Sequence, residues 1–284
     1  MPESFSALEL YKKSCEYLES KGIKCYKSDT EWIFQEVLQI KKIDIFLDNV
    51  VIKNEQKIKL REVIKRRGKR EPLQHIIGHV QFYNCTIKSD TRALIPRFET
   101  ESLIELIVGK LPNDFNKKIF DLGTGTGAII VSLAKQYPNS KCKGFDRSED
   151  ALSLAKENIL INECSHNTNI EKFDWNKDVI LEKCNVLVSN PPYLSLEEWE
   201  HTEIEVKEYD PKDALVSRNQ GKSDLEAIIQ LAPKMIVKGG ILALEFGKGH
   251  GDYLTSKFGH QFANVEIRKD LNGVRRFFLG EIKN

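Results

Sequence analysis

The sequence predicts an α/β protein: a doubly wound, mostly parallel sheet preceded by a small helical bundle. From residue 118 onward, short apolar runs typical of strands alternate with segments that have helical periodicity. Before residue 80, apolar residues recur every three to four positions instead. A glycine-rich stretch, DLGTGTG, follows the first strand of the alternating region and opens a helix. Such alternation indicates a sheet that binds ligands at the carboxyl ends of its strands.

Composition limits the possible classes of protein. The 284 residues suffice for one large domain or two smaller ones, and 40% hydrophobic with 30% charged residues is ordinary for a globular protein. No apolar run reaches the roughly 18 residues of a membrane span, and the acidic start does not resemble a signal peptide. Six scattered cysteines without a CxxC pair favour a reducing compartment over a disulfide framework or zinc site. We therefore expect a monomer in the cytoplasm, or in an organelle matrix or stroma, without a bound metal.

The first segment, residues 1–77, is predicted to be a helical bundle. The first helix has an apolar stripe formed by Phe5, Leu8, Tyr11, Cys15 and Leu18. Ser28 or Asp29 can cap the second helix, and a third begins near Asn54. Residues 57–70 hold eight basic residues against one Glu. Since charge runs are usually solvated, we favour an exposed helix face there over a docking patch for an anionic partner such as RNA.

Residues 78–95 alternate in polarity and contain turn formers, which predicts a β-hairpin linker. The remainder, residues 96–284, is predicted to carry the sheet. Its seven expected strands are KIFDL, CKGFD, IEKFDW, NVLVSN, GILALEF, NVEIR and RRFFLGEI. The last two strands are separated by a short turn and should form an antiparallel hairpin at one edge.

The glycine loop consists of Gly123, Thr124, Gly125, Thr126 and Gly127, and we expect it to expose backbone N–H groups to a ligand. Its spacing also fits the G-x-G-x-x-A dinucleotide fingerprint, so the loop alone does not separate a dehydrogenase from a methyltransferase. Asp121 precedes the loop, and a carboxylate there repels a pyrophosphate but suits a cation. S-adenosylmethionine, which carries a sulfonium and an ammonium, therefore fits better.

Acidic residues also end the next two predicted strands. Asp146 is placed to accept both ribose hydroxyls of a cofactor, although it can instead be the N-cap or turn residue before the following helix. Asp174 and Trp175 end the third strand. There the indole can pack on an adenine ring while the carboxylate binds the adenine amino group.

The fourth strand ends in the stretch Asn190, Pro191, Pro192 and Tyr193, beside the expected cofactor cleft. An amide or aromatic amine nitrogen is a poor nucleophile, so an enzyme must hold both N–H groups and aim the lone pair at the methyl carbon. The Asn190 side-chain carbonyl and the Pro191 backbone carbonyl can each accept one hydrogen. The prolines stiffen the loop, and the Tyr193 ring can cover a planar acceptor.

With this stretch the sequence resembles the amino-methyltransferases, and further stretches narrow the resemblance to the release-factor glutamine methyltransferases. These stretches are REPLQHIIG at 70–78, ALIPRFETES at 93–102, YDPKDAL at 209–215 and LEFG at 244–247. The resemblance covers nearly the whole chain. It implies a class I (Rossmann-like) methyltransferase fold. It also implies methylation, by S-adenosylmethionine, of the Gln in the Gly-Gly-Gln (GGQ) loop of class I peptide-chain release factors, with S-adenosylhomocysteine as the other product.

The resemblance further implies roles for residues. Gly123 to Gly127, Asp146, Trp175 and Asn190 match cofactor-contacting positions of the family, Asn190 to Tyr193 match its glutamine-binding positions, and the helical domain would hold the release factor. Three positions depart from the family pattern. Phe98 replaces a proline but can still pack near the cofactor, Arg147 replaces a hydrophobic residue, and Asp210 replaces the usual Glu.

Three other functions fit parts of the sequence. A DNA or RNA amino-methyltransferase shares the NPPY chemistry and would need a basic, aromatic-rich surface for a base. The first 80 residues carry only 16 basic against 12 acidic residues, and the acidic stretch 197–208 after NPPY disfavours a phosphate backbone. A non-catalytic cofactor-binding partner of the translation machinery is disfavoured by the intact NPPY, and a dehydrogenase by Asp121. We expect no stable nucleic-acid partner and no membrane association.

Overall fold

The computed structural model describes residues 6–47, 50–178 and 182–284. The helices are α1 Ala7–Ser20, α2 Tyr26–Leu38, α3 Lys42–Leu47, α4 Asn54–Gly68, α5 Leu73–Ile77, α6 Phe98–Val108, α7 Ala128–Gln136, α8 Glu149–Ile161, α9 Leu196–Glu200, α10 Ile204–Tyr209, α11 Ser223–Met235 and α12 His250–Phe258. The strands are β1 His79–Phe82, β2 Cys85–Lys88, β3 Lys118–Leu122, β4 Lys141–Asp146, β5 Thr168–Lys172, β6 Cys184–Ser189, β7 Ile236–Glu245, β8 Phe262–Lys269 and β9 Arg275–Ile282. Short 3₁₀ turns occur at Lys212–Ala214 and Gly259–Gln261, and Arg218–Gly221 forms one distorted helical turn just before α11.

The chain divides into two compact units. The first unit contains the residues up to Gly78 together with Glu203–Tyr209, a segment that the sequence analysis had assigned to the catalytic region. The second unit contains His79–Thr202 and Asp210–Asn284, so it includes the β1–β2 hairpin.

Helices α1 to α5 of the first unit enclose an apolar core. Ser6 and Glu9 form a capping box that starts α1, and the predicted stripe residues Tyr11, Cys15 and Leu18 are buried. Phe5, which was predicted to extend this stripe, lies outside the described residues. The buried residues of this core come from α1 to α5 and the segments between them: Ala7, Tyr11, Cys15, Leu18, Ile23, Ile33, Phe34, Val37, Leu38, Ile45, Ile52, Leu60, Val63, Ile64 and Leu73.

The predicted start of the second helix is wrong. Helix α2 begins at Tyr26 with Cys25 as its N-cap residue, one turn earlier than a cap at Ser28 or Asp29 would allow. Asp29 lies inside the helix, where its side chain accepts a hydrogen bond from Arg67 Nε at 2.7 Å. A tertiary ion pair therefore uses the carboxylate that the sequence pattern offered as a cap.

The interpretation of residues 57–70 as a solvated face is wrong at its carboxyl-terminal end. Arg67 is buried, with a side chain only 9% exposed, and it binds Asp29 and Glu205. Its Nη1 also donates to the backbone carbonyl of Glu71 at 3.2 Å. Arg70 donates to Glu205 at 2.6 Å, so the last arginines of the run hold the α10 segment within this unit. Burial raises the pKa of Asp29 despite the opposing effect of Arg67.

We expect Arg67→Ala to destabilise the first unit by about 3 kcal/mol, because it leaves the partly buried Asp29 without its cation and Glu205 with Arg70 alone. Arg61→Ala, an exposed position on the same helix, is the matched control and should change little. Urea unfolding of the full chain, followed by circular dichroism, measures both. Equal unfolding curves for the two variants would contradict a structural role for the Arg67 cluster.

The second unit is built on the large sheet. Within the described residues this sheet has seven strands in the order β5-β4-β3-β6-β7-β9-β8. Strands β5, β4, β3, β6 and β7 are parallel, whereas β9 is antiparallel to both β7 and β8. The predicted α/β class is thus confirmed, and so is the antiparallel β8–β9 hairpin at one edge. Because the order in which strands join the sheet reverses between β3 and β6, the carboxyl ends of these two parallel strands open a crevice at a topological switch point.

The β1–β2 hairpin is fixed to helix α8 by two buried asparagines. Asn158 Oδ1 accepts from Lys88 N at 2.7 Å, and its Nδ2 donates to Lys88 O and to Thr126 O. Asn162 Nδ2 donates to Thr86 O at 2.9 Å. Asn158 consequently ties the hairpin to the glycine loop, a link that the periodicity of the KENILIN segment does not indicate.

No helix in the described ranges is both long and apolar enough to cross a membrane.

Candidate active site

The predicted site residues lie where β3, β4, β5 and β6 end. Strand β3 runs into the glycine loop, β4 ends at Asp146, and β6 is followed directly by Asn190. Strand β5 ends at Lys172, three residues earlier than predicted, so Asp174 and Trp175 lie on the loop after it rather than at its end. All four strand ends belong to parallel neighbours, and they therefore meet at the same edge of the sheet.

A cavity of about 1040 Å³ opens at this edge. Seven of the predicted site residues line it, namely Gly123, Gly125, Asp146, Asp174, Trp175, Asn190 and Pro192. Its other walls come from residues 92–94, which follow the hairpin, and from residues 211–214. Asp121, Thr124, Thr126, Gly127, Pro191 and Tyr193 lie behind this surface or outside it.

The prediction that the glycine loop exposes its backbone N–H groups to a ligand is wrong. The amides of Gly123 and Thr124 both donate to Phe145 O, at 2.8 and 2.9 Å, and Gly125 N donates to Asp146 Oδ2 at 2.9 Å. Gly127 N donates to Thr124 O at 2.8 Å. With these donors occupied, the loop is a poor cradle for phosphate, in contrast to dinucleotide loops.

The glycines of this loop have a steric role. Gly123 and Gly127 have φ values of 72° and 81°, which side chains rarely adopt. A Cβ on Gly123 would lie 3.5 Å from the Trp175 ring, and one on Gly127 would lie 3.2 Å from Ala155 Cβ. The glycines thus allow the loop to approach the indole and helix α8 closely.

Asp121 lies beneath the loop and is fully buried. Its Oδ2 accepts from Thr124 Oγ1 at 2.7 Å, whereas Oδ1 has no hydrogen-bond partner among the described residues. Burial, together with the charge of Asp146, raises the pKa of Asp121 to about 7. A buried carboxyl oxygen without a donor is costly, so Asp121 Oδ1 is a group that a further donor would stabilise.

Asp146 holds two backbone amides. Its Oδ2 accepts from Gly125 N, and its Oδ1 accepts from Ser148 N at 3.0 Å. The alternative role as an N-cap is wrong, because Ser148 caps α8 by accepting from Ala151 N. The alternative role as a turn residue is confirmed, because the bond from Ser148 N to Asp146 Oδ1 spans two residues and closes the turn before α8. Each carboxylate oxygen keeps further lone pairs toward the cavity that Asp146 lines. Burial raises the pKa of Asp146, and the two amide bonds oppose that effect.

Trp175 is fixed by a hydrogen bond from its Nε1 to Asp224 Oδ1 at 2.9 Å. Ser217 Oγ donates to the other oxygen of Asp224, which anchors that carboxylate in turn. The indole lines the cavity next to Gly123. Asp174 binds Asn176 N and Lys177, which hold its pKa below the usual value, although partial burial opposes them.

The NPPY stretch is held from both sides. Just before it, Ser189 Oγ donates to Leu122 O at 2.6 Å, which links the ends of β6 and β3. Just after it, Leu194 N donates to Leu215 O and Leu194 O accepts from Ser217 N, both at 2.9 Å. Pro191 and Pro192 are buried, and Asn190 is half-buried at the cavity wall.

Two residues that the sequence analysis missed, Thr100 and Glu245, form hydrogen bonds with this stretch. Asn190 Nδ2 donates to Thr100 Oγ1 at 3.1 Å, and Thr100 Oγ1 donates to Glu245 Oε2 at 2.8 Å. Tyr193 OH donates to Glu245 Oε1 at 3.1 Å. Burial raises the pKa of Tyr193 above its ordinary value. Both residues stand in stretches that carry the family resemblance, FETES and LEFG, and this was the available signal.

Gly221 makes room for the NPPY backbone. It has φ of 79°, and a Cβ there would lie 2.1 Å from the backbone oxygen of Tyr193. Gly273 has nearly the same φ, 78°, but a Cβ on it would meet nothing within 4 Å. Replacing each of these glycines by alanine therefore separates two effects. Both positions have left-handed backbone that disfavours alanine, but only at Gly221 would the added Cβ also clash.

We expect Gly221→Ala to lower methyl-transfer activity by about 10²-fold, because the clash displaces the Tyr193 backbone. Gly273→Ala should cost about 1 kcal/mol of stability and leave activity near that of the wild type. Initial rates and thermal melts of both variants test this. Similar rates for the two would show that close packing at Gly221 has no part in the function.

The three departures from the family pattern have distinct surroundings. Phe98 is 69% exposed and does not line the cavity, so the expected packing near a cofactor is absent from this structure. Arg147 lines the cavity and donates to Asp213 O at 3.1 Å. Asp210 is buried, accepts from Ile95 N and pairs with Arg97 at 2.5 Å. Its shorter side chain thus still reaches the segment after the hairpin.

Comparison with known proteins first gives the class. The catalytic domain of hMettl16, solved in complex with a MAT2A 3′UTR hairpin, is similar in fold, with a TM-score of 0.56 and 13% identity over 82% of this chain and 83% of that one. Residues 100–206 match the Methyltransferase small domain family. The second unit therefore has a class I methyltransferase fold.

The particular family follows from closer relatives. Residues 9–78 match the PrmC N-terminal domain family. A release factor glutamine methyltransferase of Fusobacterium nucleatum is 34% identical over 277 residues, covering 96% of this chain and 78% of that protein. One of Aliivibrio fischeri is 32% identical over 98% of each chain. The chain belongs to the release factor glutamine methyltransferase family.

Proposed function

We propose that this protein transfers a methyl group from S-adenosylmethionine to the side-chain amide nitrogen of the Gln in the GGQ loop of class I peptide-chain release factors. Relatives that carry this activity in their names align over nearly the whole chain. The observation that carries the proposal to the chemistry is that Asn190 and Pro192 line the same cavity as Gly123 and Asp146.

The cavity suits S-adenosylmethionine in volume and in chemistry. Gly123 and Gly125 allow close backbone approach, and Asp146 offers lone pairs to ribose hydroxyls. Trp175 and Asp174 line the same cavity, where the indole packs on an adenine and the carboxylate binds the adenine amino group. Trp175 also matches a cofactor-contacting position of the family. The buried Oδ1 of Asp121, which lacks a partner among the described residues, fits a cofactor that brings a cation or donor close to the loop. We therefore propose Asp121, Gly123 to Gly127, Asp146, Asp174, Trp175 and Asn190 as the cofactor-binding set.

Asn190, Pro191, Pro192 and Tyr193 bind the acceptor. When bound, S-adenosylmethionine supplies an electrophilic methyl group on its sulfonium. The side-chain carbonyl of Asn190 and the backbone carbonyl of Pro191 accept the two N–H groups of the glutamine amide, which leaves the nitrogen lone pair facing away from both. The buried prolines keep these carbonyls rigid, and the Tyr193 ring covers the amide plane. Asn190, Pro191 and Tyr193 are thus the proposed catalytic residues.

The rest of the chain presents this site to its protein substrate. We propose that the helical domain, residues 1–77, holds the release factor, that residues 78–95 form the linker, and that residues 96–284 form the catalytic domain. We further propose that the protein works as a monomer, in the cytoplasm or an organelle matrix where translation occurs, without a stable nucleic-acid partner.

The proposal is tested by incubating the purified chain with labelled S-adenosylmethionine and a class I release factor. Label should enter the release factor and should be absent when the GGQ glutamine of that factor is replaced by alanine. Total RNA and DNA in parallel reactions should stay unlabelled. Label on nucleic acid alone would overturn the proposal in favour of a base-directed amino-methyltransferase.

A further inference from the structure

A single buried carboxyl, Glu245, is hydrogen-bonded directly to one end of the NPPY stretch and, through Thr100, to the other end. It lies at the end of β7 and is 1% exposed. One of its oxygens accepts from Tyr193, and the other accepts from Thr100, which in turn accepts from Asn190. These contacts join positions that are 145 and 52 residues apart in the chain.

The direction of the hydrogen bonds in this chain follows from hydrogen counting. An ionised carboxylate only accepts, and a threonine hydroxyl has one hydrogen to give. Since Thr100 donates that hydrogen to Glu245, its oxygen is left to accept from Asn190. The NH₂ end of the Asn190 carboxamide must therefore face Thr100, and its carbonyl oxygen must face the opposite way.

We propose that Thr100 and Glu245 are positioning residues that fix the Asn190 carboxamide with its carbonyl oxygen toward the acceptor nitrogen. This inference rests on the proposed function, in which Asn190 accepts an N–H of the glutamine amide. A carboxamide turned by 180° would present its own N–H to that amide, and two donors in contact repel each other. Glu245 also accepts a hydrogen bond from Tyr193, so one carboxyl positions residues at both ends of the acceptor site.

When Glu245 is protonated, the hydrogen bonds no longer fix the orientation of the Asn190 carboxamide. A neutral carboxyl can donate to Thr100, whose hydrogen is then free to turn toward the oxygen of a rotated Asn190. Burial raises the pKa of Glu245 to about 7, while Thr100, Tyr193 and Arg276 oppose that effect and Glu99 adds to it. The required form is the carboxylate, so activity should fall as pH drops through about 7.

The first pair of variants tests the hydroxyl. Thr100→Ser keeps it, whereas Thr100→Val keeps the shape of the side chain without it. We expect kcat of the valine variant to be about tenfold or more below that of the serine variant, with cofactor Kd similar in both. Thr255→Val, which removes an exposed hydroxyl bonded to Gly251 O in α12, is the control for a generic effect of the substitution.

The second pair tests the carboxylate. Glu245→Gln should lower kcat by about tenfold or more and should flatten the acidic limb of the pH profile, because an amide does not titrate and no longer enforces the direction. Glu266→Gln on β8 is the control and should keep the limb. All assays use release factor that the wild-type protein methylates, so a failure of the proposed function is visible in the wild-type reaction itself.

The inference is overturned if Thr100→Val matches Thr100→Ser in kcat, or if Glu245→Gln keeps the rate and the pH profile of the wild type. Should Glu245→Gln fail to fold, as judged by its thermal melt, the Thr100 pair decides the question alone.

Discussion

Asn190→Ala is expected to reduce methyl transfer by roughly 10²- to 10³-fold, the loss that follows removal of one well-placed polar contact to a reacting group. The Asn190 oxygen is proposed to hold one N–H of the glutamine amide, and alanine leaves that position empty. Its NH₂ group donates to Thr100 inside the protein, and Asn190 is only one of several residues in the proposed cofactor-binding set. The Kd for S-adenosylmethionine should consequently stay within about tenfold of the wild type.

Single-turnover rates with a release factor, combined with calorimetric titration of the cofactor, separate these two effects. Asn169→Ala, an exposed asparagine on β5, is the matched control and should behave as wild type. Complete loss of cofactor binding in Asn190→Ala would make Asn190 chiefly a cofactor residue and would contradict its role in holding the acceptor.

Asp146→Asn is expected to show the opposite pattern. Asp146 accepts from the amides of Gly125 and Ser148 with separate oxygens. Asparagine has only one oxygen, so whichever way it turns, its NH₂ group faces a backbone donor. The variant also loses the charge that strengthens hydrogen bonds from ribose hydroxyls. The Kd for S-adenosylmethionine should rise by about 10- to 100-fold, whereas kcat at saturating cofactor should fall far less.

Calorimetry and rates at several cofactor concentrations check this split. Asp252→Asn, a surface position on α12 that pairs with Arg275, is the control for the change of charge. A drop in kcat without a change in cofactor affinity would show that Asp146 does not bind the cofactor.

The location of the site could be predicted from the sequence because the proposed site residues lie at or just after the ends of strands. Gly123, Asp146 and Asn190 each follow an apolar run, and parallel strands bring such ends to one edge of a sheet. The residue types at those ends then indicated a cationic cofactor and a planar NH₂ acceptor. This reasoning needs only local pattern and one general rule of topology.

The supports of the site could not be predicted in this way. Glu245 and Thr100 meet across 145 residues, and their contact depends on β7 lying next to β6 and on the direction in which α6 presents its first turn. The N–H groups of the glycine loop are occupied by Phe145 and Asp146, which depends on the register of β3 against β4. Asp29 likewise was predicted to cap a helix, but its carboxylate binds Arg67, a partner 38 residues away. Local sequence shows which groups exist but not which distant partner binds them.

The central claim, that the NPPY stretch grips the amide of a protein glutamine, is tested most directly by locating the added methyl group. A class I release factor is methylated by the purified chain, digested, and analysed by tandem mass spectrometry of the peptide that contains GGQ. The account predicts a single added methyl group on the side-chain nitrogen of that glutamine, present with the wild-type chain and nearly absent with Asn190→Ala. A methyl group on any other residue, or an unmodified peptide in a reaction where nucleic acid becomes methylated, would contradict it.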